Sequence, residues 1–185
     1  MKKWLFFLVV CLLTLVGQPD VMVARESLTG YSPLQLKIPS LSIQAPIEPI
    51  GREELDDIPP EGEKVFWYKD GVNPGASGNA VIAGHFDDYE GPAVFYSIDQ
   101  LKLDDLLYIV NEKNQILTYQ VDEMKTFKRD HAPVEAIFQG SSQSKLKLIT
   151  CSGYYSKKEK THTHRTIVSA TLVGKTHPYT PLTGP

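Results

Sequence analysis

Beyond residue 33, apolar residues arrive in short alternating or continuous runs, each cut off by turn formers, and stretches with helical spacing are few. A chain of this kind is restricted to strands joined by turns. Residues 34–38 alternate cleanly, and candidate strands follow at 45–50, 64–67, 79–84, 106–110, 116–121, 146–150 and 166–173. The segment 45–50 contains Pro46 and Pro49, each without a ladder donor, and so reads as an edge strand. The polar residues 111–115 predict a tight hairpin, and short helical turns are expected at 94–101 and 134–138. About eight strands in one unit close into a barrel or pack as a sandwich, and periodicity does not choose between them.

With 185 residues the chain has room for one core. Its first residues, Met1-Lys2-Lys3 followed by the apolar run 4–16, have the layout of an export signal. That run is shorter than the ~20 apolar residues that cross a hydrocarbon core, although 21–24 could extend it past Pro19 and Asp20. Residues 1–24 are therefore expected to be a signal peptide cut after the small Ala24 or a retained membrane anchor. Cys11 follows Val10, which is bulkier than the small residue that usually precedes a lipid-carrying cysteine, and so reads as part of the apolar segment. Residues 25–33 are polar and turn-forming and read as a linker. The folded domain is expected at 34–174 and a proline-rich flexible tail at 175–185. A formal net charge of -3 offers no basic excess to hold polyphosphate, which argues against nucleic acid as a partner.

Without the leader, Cys151 is the chain's lone cysteine, so no disulfide forms within the domain. Such a thiol is either a small buried hydrophobe or a nucleophile. His85 follows the run 79–84, Cys151 follows 146–150, and Arg165 precedes 166–173, which puts all three at expected strand ends, where a rigid scaffold meets a loop. A thiol with an ordinary pKa of ~8.5 is mostly protonated at neutral pH, and Arg165 with a charged His85 could supply the positive charge that ionises it. His162 and His164 lie in a basic polar stretch, 157–164, read as a loop beside the groove, and are rivals for the catalytic role. Their alternate spacing could place both on one face, but two ligands fall short of a zinc site. The acidic groups at 53–57 and 87–90 lack the spacing of a calcium loop and read as solvated, with calcium binding the minor alternative.

Around these residues the chain resembles a known family. Lys147-Leu148-Ile149-Thr150-Cys151 is similar to the Thr-Leu-x-Thr-Cys motif of sortases, departing from it at Lys147. Residues 78–85, continuing through 91–96, resemble sortase class F, with class D a close competitor, and the likeness extends over 34–173. It implies an all-β fold, a closed eight-stranded sortase-type barrel with short helical turns. It also implies a cysteine transpeptidase in which His85, Cys151 and Arg165 are catalytic and Thr150 adds a hydroxyl contact to substrate. The implied substrates are LPXTG-type sorting signals and an amine acceptor such as a peptidoglycan cross-bridge or precursor. The implied location is the Gram-positive cell surface, held to the membrane if the N-terminal segment is uncleaved, and no metal or organic cofactor is called for. Two alternatives stand beside this reading. One is a secreted cysteine peptidase that only hydrolyses; a papain-like type is disfavoured because His85 precedes Cys151. The other is a non-catalytic β-barrel binding module in which Cys151 is inert.

Overall fold

A computed structural model describes residues 30–54 and 60–176. Eight strands are present there: β1 (Pro33–Ile38), β2 (Ile43–Ile50), β3 (Val65–Tyr68), β4 (Gly78–Gly84), β5 (Leu106–Asn111), β6 (Ile116–Lys128), β7 (Ser144–Ser156) and β8 (Thr161–Thr176). They form one closed barrel in the order β1-β2-β3-β4-β7-β8-β6-β5, with β5 pairing back onto β1. This decides between barrel and sandwich. All neighbours are antiparallel except β2 with β3 and β4 with β7. A parallel pair needs a long crossover. For β4 and β7 it is the stretch between them, which contains β5, β6 and the helix α1 (Val134–Phe138).

Alternation along the strands divides the apolar residues between two clusters. Inward-facing residues such as Leu36, Ile82, Leu107, Leu117, Leu148 and Val168 fill the barrel. Tyr119 is fully buried among them, and its hydroxyl accepts from the Gly75 amide at 2.8 Å and lies 3.2 Å from Ser144 Oγ, so its polar end is satisfied. A smaller cluster of Val81, Ile137 and Ile167, packed with Ile149 and Phe127, lies outside the barrel. Helix α1 contributes Ile137 to it, and Asn79 Nδ2 donates to the carbonyls of Ala136, Ile137 and Gln139.

The hairpin at 111–115 forms as expected. Asn111 Oδ1 accepts from the amides of Lys113 and Gln115, and Asn114 takes the left-handed conformation at φ 54°. Helical turns occur at Ile98–Gln100 and in α1.

Three expectations are corrected. The segment 45–50 is not at a sheet edge, because the barrel has none. Instead β2 changes partner midway, with 43–46 in register with β1 and 47–50 with β3, so a proline can turn its missing donor to the side that has no partner. Strands β6, β7 and β8 run well beyond 116–121, 146–150 and 166–173; the added residues are mostly polar, and backbone pairing extends the strands through them. Residues 30–32, assigned to the linker, already touch the domain, since Gly30 accepts from Asn73 Nδ2 and Ser32 from the Glu112 amide. The leader 1–24, most of the linker and the tail beyond Thr176 lie outside the described residues.

Candidate active site

The site is built where β4, β7 and β8 lie side by side. In the parallel register of β4 with β7, Ala83 pairs with Ile149. Beyond that pair Thr150 bonds Gly84, so His85 and Cys151 each follow directly on residues that are tied together. Across the antiparallel ladder, Cys151 pairs with Arg165. Period-two alternation puts His85 on the face of Val81, Cys151 on that of Ile149 and Arg165 on that of Ile167. The three residues thus continue the outer apolar cluster toward one end of the barrel. His85 and Cys151 both line a cleft of ≈ 600 Å³, together with Phe86, Asp87, Tyr89, Tyr155, Thr161 and His162.

Local sequence explains the placement of His85. Gly84 lies against the buried ring of Phe95, and a Cβ there would meet that ring at 2.5 Å, so only glycine lets the strand end this close to it. The His85 carbonyl accepts from the Phe95 amide at 2.9 Å, and the imidazole stands edge-on to Phe66 at 6.0 Å. Thr150 is buried, and its hydroxyl donates to the Gly84 carbonyl at 2.7 Å. Its side chain therefore does not face the cleft as a substrate contact. It fastens the residue before Cys151 to the residue before His85.

Cys151 does not close its strand, nor does Arg165 open one, for β7 continues to Ser156 and β8 begins at Thr161. The ladder shifts register between Ser152 and Tyr155. Gly153 sits in that irregularity at φ +78°, and a Cβ on it would meet His164 Nδ1 at 2.5 Å. The expected loop 157–164 reduces to the turn at 157–160, with Lys160 at φ 53°, and His162 and His164 are strand residues.

The electrostatics also differ from expectation. Burial pushes the Cys151 thiol above its ordinary value, and it outweighs the nearby Arg165 charge, which acts downward; Asp87 adds to the rise and a hydrogen bond from Thr161 opposes it. Burial thus favours the neutral thiol over the thiolate. The Arg165 guanidinium turns along its own strand, Nη1 donating to the carbonyls of His162 (3.0 Å) and His164 (2.8 Å) and Nη2 to Thr161 Oγ1 (3.1 Å). These bonds engage three of its five N–H groups.

The sortase-domain family model matches residues 36–173. The chain belongs to the sortase family. Sortases are cysteine transpeptidases, and this sortase places its one described cysteine on the cleft. Solved structures share the fold. Sortase A from Corynebacterium diphtheriae, a lid mutant, is 21% identical with a TM-score of 0.62, covering 80% of this chain and 72% of that one. Sortase C-1 from Actinomyces oris is 22% identical with a TM-score of 0.62, covering 77% and 76%. Streptococcus pneumoniae sortase C is 23% identical with a TM-score of 0.60, covering 78% and 69%. No curated protein matches the chain.

Two rivals for the site find other partners. His162 Nε2 lies 3.2 Å from Asp87 Oδ2, whereas His164 Nδ1 bonds Thr163 Oγ1 at 2.8 Å, so the two histidines do not converge on a shared ligand. Among the described residues no group of three or more His, Cys, Asp or Glu is placed to hold a metal ion. Asp88, in one of the acidic stretches, accepts from the amides of Glu90 and Gly91, and Glu54, in the other, accepts from Gly51 and Lys69. Sequence reasoning did not single out Asp87 or Thr161 for the site. Nothing in their sequence context marks them, because their contacts, Asp87 with His162 and Thr161 with Cys151, join segments distant in the chain.

Proposed function

We propose that this sortase cleaves LPXTG-type sorting signals at the cell surface and passes the acyl group to an amine, with Cys151 as nucleophile, His85 as proton shuttle and Arg165 as electrostatic partner. The observation that supports this best is the convergence of His85 and Cys151 on one cleft with Arg165 directly across the ladder from Cys151. His85 takes the Cys151 proton, and the thiolate attacks the carbonyl carbon at the scissile bond. The resulting imidazolium returns that proton to the leaving amine as the tetrahedral intermediate collapses to a thioester. An incoming amine then attacks the thioester, His85 accepts its proton, and Cys151 leaves as the thiolate.

Arg165 serves this sequence in two ways. Its charge favours the thiolate against the cost of burial. Its two N–H groups not engaged on β8 can donate toward the carbonyl oxygen on which charge grows. Thr150 acts as a brace between the strands of His85 and Cys151. No step requires a metal or organic cofactor. Residues 1–24 would direct the domain outside the cytoplasm, as a cleaved signal or a retained anchor.

The test is to incubate the soluble domain, from about residue 27, with a panel of LPXTG-like peptides, with and without amine nucleophiles, and to identify products by mass. Amine-linked acyl peptide is expected. Products of hydrolysis alone, at every amine concentration, would assign the protein to the hydrolytic peptidases.

A further inference from the structure

The segment after His85 doubles back on itself. The Ala93 amide donates to the Phe86 carbonyl, the Asp88 amide to Gly91, and Asp87 forms a bridge with Pro92. At the base of this small loop stands His85, and two residues on, Asp87 reaches across the cleft to His162 of β8, Oδ2 to Nε2 at 3.2 Å. The His162 side chain is only 8% exposed. Its ring is held edge-on between Phe86 (5.3 Å, 67°) and Tyr155 (5.5 Å, 73°), and its carbonyl accepts from Arg165 Nη1. One residue therefore touches the loop that begins at His85 through its side chain and the guanidinium of Arg165 through its backbone.

We propose that Asp87 and His162 are positioning residues that fix the loop of His85 against the strand of Arg165 and so set the approach of the imidazole to Cys151. The inference rests on the proposed roles of His85 and Cys151. Global stability is a weak reason for the pair, since a contact whose carboxylate is 42% exposed contributes little to it. Thiol ionisation is a weaker one, because the Asp87 charge raises the Cys151 pKa and so works against the thiolate. Charge alone predicts that removing it should help the enzyme. Geometry predicts the reverse, since small displacements of a reacting group are costly.

The test uses the full chain in detergent micelles, with histidine rings isotopically labelled, in wild type, Asp87→Asn, His162→Phe, the double variant and His162→Gln. His162→Phe keeps the ring between Phe86 and Tyr155 and removes the donor, whereas His162→Gln restores an N–H. Asp87→Asn and His162→Phe should each lower kcat by on the order of a hundredfold, with KM nearly unchanged. The double variant should be no worse than either single one, as for residues acting as one unit. His162→Gln should recover much of the loss. The ring resonances of His85, read without substrate, should shift in Asp87→Asn and His162→Phe alike, while Cys151 alkylation in Asp87→Asn should be no slower than in wild type. Wild-type or faster turnover in Asp87→Asn with unmoved His85 resonances would overturn the proposal, as would losses that multiply in the double variant. Asp87 lies on the loop surface, so its variant remains informative if His162→Phe unfolds. If wild type forms no thioacyl enzyme, the proposed function fails, and the His85 resonances still decide whether the pair positions this loop.

Discussion

Cys151 and Arg165 stand directly opposite each other across the β7–β8 ladder, yet the arginine spends three N–H groups on Thr161, His162 and His164 of its own strand. Cys151 thus lies opposite an arginine whose guanidinium is held by its own strand. Thr161 shares in this, accepting from Arg165 while hydrogen-bonded to the thiol.

A planar fork that bonds three groups at once is not reproduced by an ammonium. Arg165→Lys is therefore expected to lose turnover by on the order of a hundredfold although the charge is kept, the scale of a lost oxyanion donor. Steady-state rates with a sorting-signal peptide check this. Near wild-type turnover in Arg165→Lys would show that charge alone suffices.

The raised thiol pKa has a measurable sign. Burial favours the neutral form, so the rate of Cys151 alkylation in wild type should climb with pH through a midpoint above the ~8.5 of a free cysteine. Arg165→Ala removes a charge that opposes the rise and should move the midpoint higher. Asp87→Asn removes one that adds to it and should move the midpoint lower. Alkylation rates across pH on the three proteins test both directions, and a wild-type midpoint below 8.5 would contradict the assignment of burial as the dominant cause.

Thr150→Val keeps the shape and removes the hydroxyl that donates to Gly84. Leaving that acceptor unsatisfied beside buried residues should cost about 1–3 kcal/mol in urea unfolding, with a fall in turnover as β4 loosens from β7. Thr150→Ser should recover most of both. If Thr150 contacted substrate instead, KM would rise and stability would hold.

Gly84→Ala drives a methyl group into the Phe95 ring. Overpacking of this kind costs about 1–3 kcal/mol, and here the strain falls on the residue next to His85. Thermal unfolding should show the loss, and turnover should drop further than stability alone explains. A variant as stable and as active as wild type would mean that Phe95 moves aside freely.

Much of this architecture was legible in the sequence because strand period and burial coincide in the barrel. Residues 34–38, 79–84 and 146–150 alternate or run apolar where one face or both are covered, and turn formers bound them. The far ends of β7 and β8 were not legible, for Ser152-Gly153-Tyr154-Tyr155 and Thr161-His162-Thr163-His164 carry no apolar pattern and are joined by ladder pairing on either side of a register shift. For the same reason His162 read as a loop residue. His85, Cys151 and Arg165 could be singled out as candidates because each borders a recognisable apolar run. Asp87 and Thr161 gain their contacts only once the chain has closed on itself, and so does the buried hydroxyl of Thr150, to which the family resemblance alone assigned a substrate contact.

The central claim is that Cys151 carries the acyl group. Intact-mass measurement of the enzyme trapped with an LPXTG-like peptide, followed by fragment mapping, tests it most directly. A thioester adduct is expected on Cys151 in wild type, discharged by an added amine, and absent in Cys151→Ala with the fold retained. Peptide cleavage that persists in Cys151→Ala, or an adduct mapped to any other residue, would contradict it.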